Sequence, residues 1–210
     1  MSHAPADPLP PERFEELLRR EGGGFSLPPE STLLLARYLS ELDHWRRRIN
    51  LTGRLAADDL VRHTLEALVP MGLLRHGASF IDIGSGAGLP GVPLAIARPD
   101  LRVTLLEPRA RRSAFLRHVV RSLPLANTAV LEARIENVGG QTFEVAATRA
   151  VGRLDQVVGD APFLEPGGLL LLWTTDPGRR SRELPEFEVR EALAITGSRR
   201  GVVAVFRKRG

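Results

Sequence analysis

The sequence predicts an open, doubly wound α/β sheet preceded by a helical segment, and three observations carry that prediction. Apolar residues keep a helical period through roughly the first 75 positions. From residue 79 onward, short apolar runs alternate with helical segments, a pattern that requires parallel strands joined by crossovers. The first of those runs, 79–83, passes straight into a glycine cluster.

The elements follow in order. Pro10 and Pro11 precede Phe14, Leu17 and Leu18, whose spacing of three and four defines one apolar helix face, and Gly22-Gly23-Gly24 stops that helix. A longer helix opens over 26–30 and carries Leu34, Leu35, Tyr38, Leu39, Leu42 and Trp45; its Tyr and Trp read as core rather than as a binding platform. A third helix spans 57–68. After strand 79–83 come a helix over 90–98 broken by Pro99-Asp100, a strand over 103–106 ended by Glu107-Pro108, and a helix over 109–123. Strands at 128–131 and 143–147, a helix at 154–163 and a strand at 169–173 continue the alternation. The tail, 187–195 and 201–206, reads as a hairpin closing the sheet. The expected division is a helical extension over 1–75 and an α/β domain over 76–210, packed together as one unit.

Composition narrows the function. The 210 residues are 43% hydrophobic and 26% charged, the balance of a chain that builds a packed core. There are 29 Lys+Arg against 25 Asp+Glu, a formal charge of +4, and Lys208 is the only lysine. That surplus permits an acidic partner without requiring one. With no cysteine there is no disulfide, thiolate metal site or cysteine nucleophile. No apolar run is long enough to span a bilayer, and the first residues lack a secretory pattern, so a cytoplasmic protein is expected, with a monomer as the separate expectation for its oligomeric state. The histidines are scattered without metal-ligand spacing, and no metal is expected. A hydrolase elbow and a P-loop lysine are both absent from the glycine cluster.

That cluster, Asp82-Ile83-Gly84-Ser85-Gly86-Ala87-Gly88-Leu89-Pro90-Gly91, lies between a strand and a helix. In an open α/β sheet, ligands bind in the crevice at the carboxyl ends of the strands. A dinucleotide fingerprint would place glycine where Leu89 stands. The spacing is Gly-x-Gly-x-Gly with an acid two positions upstream, and a pyrophosphate would not favour that acid. S-adenosyl-L-methionine has no phosphate and carries an ammonium and a sulfonium, which tolerate Asp82. Glu107, ending the second strand, is an acid placed to bind both ribose hydroxyls. Gly84, Gly86, Gly88 and Glu107 are therefore expected to bind S-adenosyl-L-methionine. The plainer alternative is a tight turn with no ligand.

With Asn50-Leu51-Thr52, Arg62-His63, Arg111-Arg112 and Arg149-Ala150 added, the chain over about residues 44–173 resembles the GidB family. Members methylate N7 of a guanosine in small-subunit (16S) ribosomal RNA with S-adenosyl-L-methionine. The resemblance implies a class I, Rossmann-like methyltransferase fold: a seven-stranded, mostly parallel sheet with a helical N-terminal extension. It also implies cofactor contacts from Gly84 and Leu89, from Ile135 and Glu136 after the third strand, and from Arg149 after the fourth. Three positions depart from the family pattern: Glu66-Ala67 replaces Asp-Ser, Glu107-Pro108 keeps the acid and loses a hydroxyl, and Thr174-Thr175 replaces Lys-Gly.

Guanine N7 carries a free lone pair, so methylation needs no general base and no acid–base pair is expected; alignment and electrostatics carry the chemistry. Arg149 and Asn50 are the expected positioning residues. Asn50, His63, Arg111 and Arg112 are the expected contacts to 16S ribosomal RNA or the small ribosomal subunit, with Arg46, Arg47, Arg48 and Arg109 as further arginine candidates. For the 46–48 cluster, a solvated arginine face is the equal alternative. Arg179, Arg180 and Arg182 read as loop charges. Two other functions stand beside the main one: methylation of a different RNA or small molecule, and a non-catalytic ribosome-binding protein.

Overall fold

Three amphipathic helices come first, each with one face of apolar residues turned inward. In this computed structural model, which describes residues 7–53, 55–149, 158–159, 161–196 and 201–209, α1 (Pro11–Glu21) buries Phe14, Leu17 and Leu18. Helix α2 (Pro29–Trp45) buries Leu35, Tyr38, Leu39 and Leu42, and α3 (Ala57–Leu68) buries Leu60, Val61, Leu65 and Leu68. Proline at the first turn of α1 and α2 suits a position whose N–H would have no helical partner. A 3₁₀ turn (Val69–Leu73) then leads to the sheet.

The strands are β1 (Ser79–Ile83), β2 (Arg102–Leu106), β3 (Thr128–Leu131), β4 (Phe143–Arg149), β5 (Leu164–Thr174), β6 (Phe187–Ala194) and β7 (Val202–Lys208). They form one seven-stranded sheet in the order β3-β2-β1-β4-β5-β7-β6. β1 to β5 pair in parallel, while β7 runs antiparallel to both β5 and β6. Helices α4 (Gly91–Ala97) and α5 (Ala110–Ser122) follow β1 and β2, and α6 (Pro177–Glu183) follows β5.

Alternating side chains put the two sheet faces into two cores. Phe80, Leu105, Val145, Leu171 and Val203 join the face shared with α1 to α5. Ile81, Leu106, Ala146, Leu172 and Phe206 join the other, with Phe143, Phe163 and Phe187. Burying a Phe or Leu this completely contributes about 1.5–3 kcal/mol. The chain runs outward from β1 to β3 and then returns to β4, so the order reverses between β1 and β4. That switch point opens a crevice at the carboxyl edge of the sheet, directly beyond the glycine turn.

Three elements differ from the sequence reading. β4 continues two residues further, to Arg149. β5 begins at Leu164 and runs through Pro166-Gly167-Gly168, with a register shift against β4 between Phe143 and Val145. The arginines at 179, 180 and 182 lie on α6, started by Pro177 and by Asp176, whose Oδ1 accepts the Arg179 N–H at 2.8 Å. The helix expected over 154–163 falls mostly outside the described residues.

Candidate functional site

The glycine turn is fixed from below. The amides of Gly84 and Ser85 donate to the Leu106 carbonyl at 2.9 and 3.0 Å, tying the turn to the end of β2. Tyr38 of α2, fully buried, donates its hydroxyl to the Ala87 carbonyl at 2.8 Å. Gly86 holds φ +54°, a left-handed conformation that glycine adopts without steric cost. At Gly91 the reason for glycine is proximity: a Cβ there would stand 2.3 Å from Leu105 Cδ2 and 2.8 Å from Asp82 Oδ2.

Two acids support this backbone. Glu107, buried at the end of β2, accepts the Gly86 N–H on Oε2 at 3.0 Å and the Arg109 N–H on Oε1 at 2.9 Å. Asp82, also buried, accepts the Gly91 N–H on Oδ2 at 3.0 Å, whereas its Oδ1 has no partner among the described residues. Burial pushes the Asp82 carboxyl up to about 7; the Gly91 and Ser85 hydrogen bonds oppose the rise, and nearby Glu107 adds to it. The folded chain therefore holds a proton on Asp82 that the unfolded chain releases near pH 4, so stability from this group falls as pH rises across that window. Thermal unfolding of Asp82→Asn against wild type should show the balance shifting toward the variant by about 2 kcal/mol between pH 5 and 8. A pH-independent difference would contradict this assignment.

Above the turn lies a cleft of about 380 Å³, lined by Gly84, Ser85, Gly86, Ala87 and Leu89 on one side. His63, Arg112 and Arg149 line it with the segment carrying Leu51, Thr52 and Leu55. A cavity of similar size, about 390 Å³, opens at the amino edge of the parallel strands between Arg75, Glu144, Gly167 and Arg207, and holds none of the residues expected at the site.

The cleft thus brings together Gly84, Gly86, Leu89, His63, Arg112 and Arg149. Asn50 is exposed beside it, its carbonyl accepting from Arg112 Nη2 at 3.0 Å. Gly88 is turned away, since a Cβ there would meet Val92 Cγ2 at 2.7 Å. Ile135 and Glu136 form a 3₁₀ turn past β3, at the same edge of the sheet but outside the cleft lining; Ile135 packs on the second core and Glu136 is exposed. Arg109 and Arg111 are exposed at the start of α5.

Arg46 and Arg47 are tied inward instead. Arg46 Nη2 donates to Asp43 Oδ1 at 2.6 Å and Arg47 Nη2 to Oδ2 at 2.8 Å. Asp43 is only 1% exposed, and the Leu9 N–H also donates to it. Burial raises the Asp43 carboxyl, but the two guanidiniums and the Leu9 amide outweigh it and hold the group below its ordinary value. Most of this pair's hydrogen bonding is spent bracing the end of α2.

At the mouth of the cleft, three elements converge on Glu66, a residue the sequence reading noted only as a departure. Arg149, ending β4, donates from Nη1 to the His63 carbonyl at 3.1 Å and from Nη2 to Glu66 Oε2. His63 Nδ1 lies 2.9 Å from the same oxygen. Trp173 of β5 donates its indole N–H to the Glu66 carbonyl at 3.0 Å. The spacing of three between His63 and Glu66 on one helix was the available signal.

The chemistry of the lining fits S-adenosyl-L-methionine. Open space stands in front of Gly84, where a Cβ would meet nothing within 4 Å. The unpartnered Asp82 oxygen and the carboxylate of Glu107 leave polar groups beneath a turn that contains no cation. Among the described residues no cluster of acids and histidines could hold a metal.

Comparison with known proteins agrees with this geometry. A methyltransferase from Pyrococcus furiosus has the same fold, with a TM-score of 0.60 at 18% identity, covering 83% of this chain and 98% of that one. A ribosomal RNA small subunit methyltransferase G of Sorangium cellulosum is 38% identical over 200 residues, 91% of this chain and 80% of that protein. One from a Roseiflexus species is 41% identical over 138 residues, 62% of this chain and 59% of that protein. The family model described as rRNA small subunit methyltransferase G matches residues 32–189, from α2 through the whole glycine cleft to β6. The chain belongs to that family, GidB.

Proposed function

We propose that this protein transfers a methyl group from S-adenosyl-L-methionine to N7 of a guanosine in 16S ribosomal RNA. The observation that carries the reading is the cleft at the β1/β4 switch point, where an open glycine turn over two buried acids faces His63 and Arg149. The family's description and the names of its relatives support ribosomal RNA of the small subunit as the substrate class.

In this reading Gly84, Gly86 and Leu89 form the bed for the cofactor, with Gly88 shaping the turn from behind through its backbone, and Glu107 offers its remaining lone pairs to the ribose hydroxyls. Ile135, Glu136 and Arg149 complete the binding set. The bound cofactor would supply a methyl group on a sulfonium, whose carbon a lone pair can attack directly while the neutral thioether leaves. The chain needs no group to remove a proton from N7, and its work is to align the base and exclude water. Arg149 and Asn50 position the target, and exposed Arg111 with Arg112 holds RNA phosphates. Residues 1–75 serve as a helical extension to a catalytic domain over 76–210.

We place the protein in the cytoplasm as a monomer. Among the described residues no helix is long and apolar enough to cross a membrane, and the exposed large hydrophobics are the isolated Leu33 and Val189.

Methyl incorporation into isolated ribosomal subunits tests the substrate class: label is expected in small-subunit RNA and not in large-subunit RNA. The reverse pattern would overturn it. Replacing Arg111 and Arg112 together by glutamine should weaken RNA binding and lower the slope of log K against log salt by about 1–2. An unchanged slope would remove both from the RNA surface.

A further inference from the structure

Glu66 lies at the centre of the cleft mouth, and its contacts determine what His63 presents to the cleft. The carboxylate oxygen Oε2 receives Arg149 Nη2 and stands 2.9 Å from His63 Nδ1. Arg149 Nη2 is also 2.7 Å from that ring nitrogen. Nδ1 thus stands between a donor, Arg149 Nη2, and an acceptor, Glu66 Oε2; Nη2 already has Oε2 as its acceptor, whereas a bare Nδ1 would set its lone pair against that of the carboxylate. The consistent arrangement puts the hydrogen on Nδ1, so that His63 and Arg149 both donate to Oε2. Glu66 is suited to this: burial raises its carboxyl, but the His63 hydrogen bond and the Arg149 charge outweigh it and keep the group below the ordinary carboxylate range. With Nδ1 occupied, the second ring nitrogen, Nε2, is left as an acceptor with no partner among the described residues, on a side chain that lines the cleft.

The network is anchored on three elements. Arg149 Nη1 holds the His63 carbonyl from β4, and the Trp173 indole holds the Glu66 carbonyl from β5. The α3 residues are thereby fixed against the sheet, and the ring orientation follows from the backbone rather than from side-chain chance.

We propose that Glu66 is a positioning residue that fixes His63 as the Nδ1–H tautomer, so that His63 Nε2 accepts a hydrogen bond from the N–H edge of the target guanine. This rests on the reading of the cleft as a guanosine methyltransferase site. It gives a basis for choosing the base when Nε2 faces N1: guanine carries a hydrogen there, whereas adenine N1 is an unprotonated acceptor that a second acceptor would repel. It also ties activity to a neutral His63, since a protonated ring has no acceptor left. The charged groups facing the ring are Glu66 and Arg62 on α3, Arg149 on β4, and Arg112 of α5 across the cleft.

The test compares wild type, Glu66→Gln and Glu66→Asp in methyl transfer to small subunits, with cofactor affinity measured separately by calorimetry. Glu66→Gln should lower kcat/KM on the order of 10- to 100-fold with cofactor affinity within about twofold, and Glu66→Asp should recover most of the loss. An undiminished kcat/KM in Glu66→Gln, or a loss that Glu66→Asp does not recover, overturns the role of Glu66. Wild-type protein that binds cofactor yet leaves guanosine unmethylated overturns the underlying reading instead, and this inference with it.

Discussion

Gly86→Val is expected to abolish cofactor binding while the sheet still folds. Gly86 sits at φ +54° with its N–H held by Glu107, so a side chain there meets two separate penalties. A β-branched residue in the left-handed region costs about 1–3 kcal/mol of strain. The new Cβ itself clears its neighbours, the nearest being Arg112 Nη1 at 3.6 Å, so it stands in the cleft rather than in the core. The valine methyls would then occupy space needed by the ligand, and affinity should fall on the order of 100-fold or more. Gly77→Val is the control: it has φ +70° and nothing within 4 Å, but precedes β1 at the opposite edge of the sheet. Calorimetric titration with the cofactor should show binding retained in Gly77→Val and lost in Gly86→Val. Full methylation activity in Gly86→Val would remove the glycine turn from the site.

Asp43→Ala should be the most destabilising single change at a charged residue described here. It leaves Arg46, Arg47 and the Leu9 N–H without their shared acceptor at a position 1% exposed. Breaking a buried ion pair by removing one partner costs about 3 kcal/mol, which for a chain of this size lowers Tm by about 6–12 °C. The sign with pH is definite. Because the folded-state carboxyl is held below its ordinary value, its contribution is fully present above about pH 4 and disappears as pH falls through the folded value. The difference in Tm between wild type and Asp43→Ala should therefore narrow in acid. A difference of under about 0.5 kcal/mol at pH 7 would return Arg46 and Arg47 to the pool of RNA contacts.

The parts of the site that were legible in sequence are those whose meaning is local. The Asp82-to-Gly91 spacing specifies a strand, a turn and a helix within ten residues, and Glu107 follows at the end of the next strand. Helix α3 was legible to the residue because its apolar period is uninterrupted from Leu60 to Leu68. Other features depended on distant partners. Nothing around Tyr38 announces that its hydroxyl holds the Ala87 carbonyl, and nothing around Glu66 announces Arg149, which arrives from β4. Ile135 and Glu136 came only from the family resemblance, since their own surroundings read as the start of a helical turn. Asp43 with Arg46 and Arg47 was partly legible, as offsets of three and four on α2 place an acid beside two cations. β5 starts five residues before the strand expected at 169–173 because Gly168 packs its backbone closely against the Glu144 carbonyl, 3.0 Å from where a Cβ would lie, a contact the local sequence does not show.

The central claim is the identity of the methylated atom, and one measurement addresses it directly. Small ribosomal subunits from cells lacking this modification are incubated with the purified protein and methyl-labelled S-adenosyl-L-methionine, and the RNA is then digested to nucleosides. The account predicts one labelled product, 7-methylguanosine, from small-subunit RNA. Label in any other nucleoside, or no label from protein that binds the cofactor, would contradict it.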